Sequence, residues 1–427
     1  MEQKRVVIIG GGFAGLSAAW ELRNSDYHVT LLDRRNFSLF QPLLYQVATT
    51  SLTETDVSFT LRNTLTKAKN ISIFNVEVTD FDIEKKQVIT NKELFDYDIL
   101  IVSSGVTHNY FGNHHWAEFA PGLKTLENAL EIRNKILLAF EKAELEKDIE
   151  KKKTLLRFVI IGGGPTGVEL AGSLCELAHS TLRNNFHNFT SNDIEIILIE
   201  GSGRVLSTYD SSLSKKAQLQ LEKLGAKVIT NSRVIDIQKN LVKILSNPEE
   251  TIFYTNTVIW AAGMKATVLA YKIAEKTSTK QDRQGRVFVN PDLSIPNFPE
   301  IFILGDIANV NGINNEPLPG VAPVAMQEGA YIGKLLKNKL NGREIKPFQY
   351  NDKGNMAVIG KNAAVAELKS FKFSGYPAWL LWVVVHIWYL VGYDNKLMIM
   401  IKWAWTYWTS KRSGRLILHE KDSHANL

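Results

Sequence analysis

The sequence predicts an α/β protein built from two copies of a strand, glycine turn and helix, because this pattern occurs twice in its 427 residues. RVVIIGGGFAGLSAAWEL stands near the start, and RFVIIGGGPTGVELAGSL begins at residue 157. Each copy is followed by a second apolar run that ends in an acid, at Asp33 and at Glu200. Repeats this far apart predict two nucleotide-binding domains rather than a solenoid, whose repeats are much shorter.

The composition is that of a globular protein with two or three domains. With 45% apolar and 22% charged residues, it excludes disordered and collagen-like chains. Cys175 is the only cysteine, which excludes an internal disulfide and a dithiol redox pair. Its place in an apolar helical run predicts a small buried side chain. The net charge of +6 predicts an anionic partner, and half of this excess lies in residues 393–427.

The first glycine motif has the context that a dinucleotide site requires, since a strand precedes it and a helix follows. Gly10 permits the tight turn, Gly12 lets the backbone approach a pyrophosphate, and Gly15 lets the helix pack against the strand. The helix N-terminus then offers N–H groups to the phosphates. Asp33 ends the next strand and can accept a ribose hydroxyl. These features together predict a bound dinucleotide.

The second motif, at Gly162, Gly164 and Gly167, has the same context. Glu200 stands where a carboxylate binds the adenosine ribose and repels a 2′-phosphate, which favours NADH over NADPH. Arg204 follows four residues later and could weaken this preference. Two such sites in one chain predict a permanently held FAD at the first loop and a visiting NADH at the second. Hydride transfer between the two cofactors needs no metal or acid–base triad from the protein.

Three further residues are candidates with an alternative explanation each. Glu169, at the start of the second helix, could orient nicotinamide or relay a proton, or could simply be a first-turn glutamate that the helix dipole favours. Asp306, after Gly305, could bind the flavin's ribityl chain or mark an ordinary turn. Gln327 could face the flavin's pyrimidine edge or a second substrate, or be a surface glutamine.

The chain returns to its first domain late in the sequence, as strand signals in FVN, IFIL and MAVIG (288–290, 301–304 and 356–360) indicate. We therefore predict an FAD-binding domain in two parts, 1–120 and 279–345, with an NADH-binding domain at 121–278 inserted between them. We predict that residues 346–427 form a C-terminal membrane-anchoring region. The charged stretch Thr125–Lys153 has apolar residues at helical spacing and predicts a solvated connecting helix.

The C-terminal region carries two apolar runs that are too short to span a membrane, for which about 20 residues are needed. Ala378–Val391 includes His386, and Leu397–Trp408 includes Lys402. Six of the nine tryptophans lie here, beside basic residues that attract anionic lipid. The pattern predicts a helical pair lying on one membrane face, and the alternative is a dimer or core element. The basic residues form no stripe with interleaved aromatics elsewhere, so nucleic acid is not an expected partner.

On these residues the chain resembles the type II NADH dehydrogenases, which are single-chain NADH:quinone oxidoreductases. The matching segments span the whole length: IIGGGFAGL, FQPLLYQVAT, IIGGGPTGVELAG, AAGMKA, ILGDIA, VAMQEGAYIG and the aromatic tail. The resemblance implies two Rossmann-like domains, with FAD held by Gly12, Asp33 and Asp306. It also implies that Gly164 and Glu200 hold NADH.

The resemblance further places Glu169 near the contact between flavin and nicotinamide, and Gln327 in a quinone pocket. The family often has Ala-Gln-x-Ala-x-Gln in this helix, and here Pro323 replaces the first glutamine, a departure that bears on the quinone contacts alone. The remaining candidate cofactor-binding residues flank these motifs: Phe13, Ala14, Arg34, Gln41, Val78, Ser104, Gly105, Gly305, Ala325, Pro165, Thr166, Ala262 and Gly263.

The implied activity is NADH oxidation coupled to reduction of a membrane quinone, menaquinone or ubiquinone, without proton pumping. The implied location is peripheral, on the cytoplasmic face of the bacterial inner membrane, with a possible homodimer. A sulfide:quinone oxidoreductase would need a pair of redox cysteines, which this sequence lacks. A NAD(P)H-dependent flavoprotein reductase with a protein or soluble acceptor, and a flavin-binding sensor without turnover, remain open alternatives.

Overall fold

A computed structural model describes residues 3–182, 185–246, 248–312, 316–390 and 393–417. The strands are, in chain order, β1 Arg5–Ile9, β2 His28–Asp33, β3 Phe37–Leu39, β4 Ser58–Thr60, β5 Ile71–Asn75, β6 Val78–Asp82, β7 Gln87–Thr90, β8 Leu94–Asp96, β9 Ile99–Val102, β10 Val106–His108, β11 Arg157–Ile161, β12 Glu195–Ile199, β13 Ala226–Ile229, β14 Arg233–Gln238, β15 Leu241–Ser246, β16 Glu249–Tyr254, β17 Thr257–Trp260, β18 Met264–Ala266, β19 Val287–Phe288, β20 Ser294–Ile295, β21 Phe298–Ile303, β22 Ala308–Asn309, β23 Asn355–Gly360, β24 Ala363–Leu368 and β25 Phe371–Ser374. The α-helices are α1 Phe13–Leu22, α2 Leu44–Ala48, α3 Glu54–Val57, α4 Leu61–Thr64, α5 Leu126–Leu145, α6 Ile149–Leu156, α7 Pro165–Glu176, α8 Ser211–Leu224, α9 Val268–Lys276, α10 Ala322–Leu340, α11 Tyr376–Tyr389 and α12 Tyr393–Thr409.

The chain divides into two compact units, each assembled from separate segments. Unit 1 is made of Met1–Leu39, Ser58–His108 and Met264–Lys353. Unit 2 is made of Phe40–Val57, Asn109–Gly263 and Gly354–Leu427. Each unit contains a sheet with parallel strands and a glycine turn between a strand and a helix, which confirms the predicted α/β class. The domain boundaries predicted from the sequence stay a proposal.

The main sheet of unit 1 has the strand order β20-β21-β9-β1-β2-β5, and β21, β9, β1, β2 and β5 run parallel. The central strands β9, β1 and β2 contain runs of buried valine, isoleucine and leucine, as expected for a parallel sheet that is covered on both faces, whereas the edge strand β5 is only half-buried. Ile9 pairs with Leu32 and Val102, and Val102 pairs with Ile303. The carboxyl ends of four strands therefore meet at one edge, where α1 begins.

The main sheet of unit 2 has the order β13-β12-β11-β17 with all strands parallel. Ile161 pairs with Ile199 and Trp260, so the ends of β11, β12 and β17 lie side by side. The segment MAVIG, predicted to rejoin the first domain, does not do so. As β23 it pairs antiparallel with β24 in a three-stranded sheet of unit 2, because its hydrogen-bonding partner is the next strand in sequence.

The stretch Thr125–Lys153 corrects a second expectation, because it forms parts of two helices rather than one solvated helix. The hydroxyl of Thr125 accepts a hydrogen bond from the N–H of Asn128 and caps α5. One face of α5 is buried in unit 2 through residues such as Phe140, which is 1% exposed. The chain then leaves the helix, and Asp148 caps α6.

The C-terminal helices α11 and α12 have the helical form that was predicted for this region. They pack against each other, and α11 also packs on the sheet β23-β24-β25. Among the described residues, none of the helices has both the length and the apolar character needed to cross a membrane. The basic positions after residue 417 lie outside the described residues.

Candidate active site

The first glycine loop lies at the carboxyl edge of the unit 1 sheet and has the shape of a phosphate cradle. Gly10 has a φ of +96°, and a Cβ on Gly15 would lie 1.9 Å from the Gly10 carbonyl oxygen, so α1 approaches the strand as closely as a glycine allows. A Cβ on Gly12 would meet nothing within 4 Å. The turn is therefore open on the side where the first N–H groups of α1 point, as a dinucleotide pyrophosphate requires.

Asp33 joins this loop to the end of β2. Its carboxylate accepts hydrogen bonds from the N–H of Gly11 at 2.6 Å and from the N–H of Arg35 at 2.7 Å. Burial raises the pKa of Asp33, and the two backbone hydrogen bonds act in the opposite direction. Each carboxylate oxygen keeps a further lone pair, so Asp33 can fix the loop and still accept a ribose hydroxyl. The residues thus fit FAD.

Gly305 lies beside the same loop, after β21. If Gly305 carried a Cβ, that atom would lie 3.5 Å from the Cβ of Ala14 and 3.7 Å from the Cβ of Ala325. Its φ of +73° is a conformation that favours glycine. Asp306 follows in a short turn and lies next to Gly320. The structure therefore brings the predicted residues of β1, α1, β21 and α10 to one place.

The second glycine loop repeats this geometry in unit 2. A Cβ on Gly167 would lie 1.8 Å from the Gly162 carbonyl oxygen, and Gly164 is open. Glu200 accepts hydrogen bonds from the N–H of Gly163 at 2.5 Å and from the N–H of Ser202 at 2.7 Å. The carboxylate therefore holds its own loop as Asp33 does, with lone pairs left for a ribose.

Two neighbours of this second loop were also singled out from the sequence. A Cβ on Gly162 would touch the backbone of Ala261 and Ala262 at 2.8 Å, so the end of β17 borders the loop. Gly263 has a φ of +69°, which fits a glycine at this turn. Arg204, by contrast, donates to the carbonyl of Ser207 at 2.8 Å.

Glu169 is buried in the second turn of α7, with 9% of its surface exposed. Its Oε1 accepts a hydrogen bond from the N–H of Val358 on β23 at 3.3 Å. Burial raises the pKa of Glu169 to about 8, and the hydrogen bond from the Val358 N–H acts in the opposite direction. The carboxyl is therefore protonated at neutral pH and can give up or take a proton close to it.

Gln327 is engaged within unit 1. Its amide nitrogen donates to the carbonyl of Asn351 at 3.0 Å, and its amide oxygen accepts from the N–H of Asn351 at 2.9 Å. Pro323 lies in the first turn of α10, where no intrahelical partner for its missing N–H is needed. A ligand that used the Gln327 amide would replace these two hydrogen bonds.

The remaining predicted residues are spread over both units. In unit 1, Ser104 shares a hydroxyl hydrogen bond with Thr267 at 2.6 Å, and the carbonyl of Gly105 accepts from the Thr267 N–H. Val78 is a core residue of unit 1. Phe13 is the first residue of α1 and is half-buried. The other four predicted residues are exposed: Arg34, Gln41, Pro165 and Thr166. Phe13 and Arg34 lie in unit 1, and Gln41, Pro165 and Thr166 lie in unit 2.

Sequence reasoning missed Glu328, which is 1% exposed on α10. Its Oε2 accepts the N–H of Gly305 at 2.5 Å. The signal was present, since Glu328 is three residues after Ala325 and four before Ile332 and so shares their buried face. An acid on an apolar helix face points to a partner at that position.

A second buried group that was missed is Arg412 in the C-terminal segment. Its guanidinium donates to the carbonyl of Thr49 at 2.7 Å, to Ser173 and to the carboxylate of Glu176 at 3.0 Å. The sequence analysis counted this position only among the basic residues of the tail, which were predicted to attract anionic lipid. The structure uses Arg412 to fasten the tail to α7.

Known proteins match this chain over almost its whole length. A family model described as pyridine nucleotide-disulphide oxidoreductase matches residues 4–329. Type II NADH:quinone oxidoreductase Ndh of Mycobacterium tuberculosis is 39% identical over 432 residues, which cover 99% of this chain and 91% of the relative. NdhA of the same organism is 41% identical over 436 residues, with the same coverage. The chain belongs to the type II NADH:quinone oxidoreductases.

Solved structures with lower sequence identity to this chain have the same fold. The structure of NDH2 from Plasmodium falciparum in complex with NADH matches with a TM-score of 0.89 at 24% identity, over 98% of this chain and 100% of that chain. The sulfide:quinone oxidoreductase from Aquifex aeolicus matches with a TM-score of 0.72 at 18% identity, over 90% of each chain. This chain thus shares its fold with a sulfide:quinone oxidoreductase as well as with NDH2.

Cys175 distinguishes this member from dithiol enzymes of the same fold. It is buried with 1% exposure, as predicted, and burial raises the pKa of its thiol to about 12. A thiol that stays protonated is a poor nucleophile. Since Cys175 is the only cysteine in the sequence, a dithiol takes no part in the reaction.

Proposed function

We propose that this chain oxidises NADH by hydride transfer to bound FAD and then reduces a membrane quinone by two electrons, without pumping protons. The observation that carries this proposal is the presence of two complete dinucleotide cradles, one in each unit. In each cradle an acid, Asp33 or Glu200, holds the glycine loop through a backbone N–H. The membership in the NADH:quinone oxidoreductases supports the choice of NADH and of a quinone.

In this proposal, FAD when bound supplies the two-electron carrier that accepts hydride and delivers electrons to the quinone. The chain's own residues bind and orient. Gly12 and the first turn of α1 receive the pyrophosphate in unit 1, and Asp33 receives a ribose hydroxyl. Gly164 and Glu200 do the same for NADH in unit 2. The negative charge of Glu200 would repel the 2′-phosphate that NADPH carries in place of the 2′-hydroxyl of NADH, which favours NADH over NADPH.

Glu169 is the candidate for proton handling. Quinone reduction consumes two protons, and a carboxyl that is buried and protonated at neutral pH can hold one of them. The N–H of Val358 fixes the orientation of this carboxyl. We assign Gln327 to the acceptor side of the site, as the resemblance implied, with its present partner Asn351 displaced by the quinone.

We infer that α11 and α12 attach the protein peripherally to the cytoplasmic face of the bacterial inner membrane. Large apolar side chains project from both helices and are between 47% and 80% exposed: Leu380, Val384, Trp388, Leu397, Met398, Met400, Ile401, Trp405 and Trp408. Lysines such as Lys396 and Lys411 accompany them. An apolar surface with aromatic and basic residues suits the headgroup boundary. A homodimer through the same surface is the competing use of it.

The catalytic proposal is tested by steady-state turnover of the purified, FAD-loaded protein. With a short-chain quinone as acceptor, we expect one NADH consumed per quinone reduced, and much slower turnover with NADPH. NADH oxidation that requires a protein or soluble acceptor and leaves the quinone unreduced would favour the alternative flavoprotein reductase. Absence of turnover with either nucleotide would contradict the proposal.

The membrane proposal is tested by sedimentation with vesicles that contain an anionic phospholipid. The double variant Trp388→Glu and Trp408→Glu places charge on the two most exposed tryptophans, and we expect it to stay in the supernatant with its flavin bound. The matched control changes Leu219 and Tyr254, which are exposed elsewhere in unit 2, to glutamate. Equal sedimentation of both variants would refute docking through α11 and α12. If the tryptophan variant instead turns a dimer into a monomer in solution, the surface serves as a dimer interface rather than as a membrane contact.

A further inference from the structure

Glu328 is delivered to the first dinucleotide cradle by the close packing of α10 on α1. A Cβ on Gly329 would lie 2.1 Å from the carbonyl oxygen of Ala14, so a glycine here lets the two helices touch. Farther along, Gly333 packs on the side chain of Glu21. The contact places the neighbouring Glu328 inside unit 1, where its side chain is 1% exposed.

The Glu328 carboxyl has a defined partner at this position. Its Oε2 accepts the N–H of Gly305 at 2.5 Å. Gly305 adopts a left-handed conformation and lies against the first turn of α1 through Ala14. The same short turn continues into Asp306, the candidate ligand of the flavin. The hydrogen bond from Gly305 therefore fixes the peptide that carries Asp306.

The charge state of Glu328 matters because of what surrounds it. Burial raises the pKa of Glu328 to about 8. The hydrogen bond from the Gly305 N–H acts in the opposite direction, and the nearby Asp306 carboxyl raises the pKa as well. The other acid on the α1–α10 contact, Glu21, lies at Gly333, more than one helical turn away. At neutral pH the group is thus neutral, and above its pKa a second negative charge would stand beside Asp306 and the anionic pyrophosphate of a bound FAD.

We propose that Glu328 is a positioning residue for the flavin: in its neutral form it holds the Gly305–Asp306 turn, and its ionisation weakens FAD binding. The inference rests on the proposed function in one respect, namely that FAD occupies the unit 1 cradle. By linkage, if ionised Glu328 weakens FAD binding, bound FAD must in turn favour the protonated form of Glu328.

The test measures how tightly the holoprotein retains FAD from about pH 6 to about pH 9.5. Release is followed by the fluorescence that FAD regains in solution, and circular dichroism verifies folding at each pH. For the wild-type protein we expect the dissociation constant to rise at least about tenfold across this range. Glu328→Gln stays neutral, and its amide oxygen can still accept the Gly305 N–H, so this variant should bind FAD as tightly as the wild type at pH 7. Its dissociation constant should not show the rise with pH, which we call the pH step.

Two further variants separate the hydrogen bond from the charge. Glu328→Leu is also neutral but cannot accept the Gly305 N–H, so it should bind FAD more weakly at every pH and show no step. Glu21→Gln makes the same chemical change on the same helix pair and should keep the wild-type step. A Glu328→Gln protein with the wild-type step, or a Glu328→Leu protein that binds as tightly as Glu328→Gln, would overturn the inference alone. Absence of FAD from the wild-type protein at every pH would overturn the proposed function as well.

Discussion

Replacing Glu169 by glutamine is predicted to make the stability of unit 2 less sensitive to pH. The carboxyl has an ordinary pKa of 4.5 when exposed and a pKa of about 8 when buried in the folded protein. Between these values the folded state keeps a proton that the unfolded state has lost. Stability from this group is therefore complete below pH 4.5 and is lost as the pH rises to about 8.

The size of the effect follows from that interval. Each pH unit inside this interval lowers the unfolding free energy by about 1.36 kcal/mol. The contribution of Glu169 therefore falls by roughly 4 to 5 kcal/mol between pH 4.5 and pH 8. Glutamine has nearly the same shape, and its amide oxygen can accept the Val358 N–H. The Glu169→Gln protein should therefore equal the wild type near pH 4.5 and exceed its stability by several kcal/mol at pH 8.

The measurement is urea unfolding at several pH values, followed by tryptophan fluorescence. Eight of the nine tryptophans belong to unit 2, so the signal reports the unit that contains Glu169. Glu141→Gln, an exposed glutamate on α5, is the matched control and should leave the pH dependence unchanged. If Glu169→Gln and the wild type lose stability in parallel from pH 5 to pH 8, Glu169 is ionised in the folded protein and the reasoning is wrong.

Three more predictions concern single residues. Glu200→Gln should raise the KM for NADH and reduce the preference over NADPH, since it removes the charge that repels a 2′-phosphate; initial rates with both nucleotides measure this. Arg412→Ala should lower the unfolding free energy by about 1 to 3 kcal/mol in urea, because the buried carbonyls of Thr49 and Ser173 lose their donor. Gly15→Ala should abolish FAD binding, because its Cβ would lie 1.9 Å from the Gly10 carbonyl oxygen; flavin content after purification measures this.

Each of these three changes has a control and a contrary outcome. For Glu200→Gln, unchanged kinetics with both nucleotides would contradict the assignment of Glu200 to the ribose of NADH. Lys411→Ala removes an exposed neighbouring charge and should cost little in stability, so equal losses for Arg412 and Lys411 would argue against the buried hydrogen bonds of Arg412. Gly201→Ala introduces a methyl group into open space and should keep its flavin, and a flavin-loaded Gly15→Ala protein would contradict the close packing.

The glycine loops and their acids could be predicted from the sequence because local spacing determines them. Gly10 and Gly162 follow apolar strands, and Asp33 and Glu200 close the next strands, as the structure has them. These features depend on contacts between residues in one strand–turn–helix segment and the strand after it. The family resemblance then extended the interpretation to the rest of the chain.

The features that were missed depend on contacts between distant segments. Glu328 meets Gly305 because α10 packs on α1, and no local pattern states that contact. Arg412 reaches α7 from a position more than two hundred residues away in sequence. The segment MAVIG has the composition of a strand, but its pairing with β24 decides its sheet. Composition predicts that a strand exists and leaves its partner open.

The central claim is that one chain carries out both half-reactions, and anaerobic mixing tests it most directly. The purified protein is mixed with NADH while the yellow flavin absorption is recorded, and a short-chain quinone is then added. We predict that NADH bleaches the flavin and that the quinone restores its colour, as hydride transfer followed by two-electron transfer requires. A flavin that stays oxidised in the presence of NADH, or one that stays bleached after the quinone is added, would contradict the account.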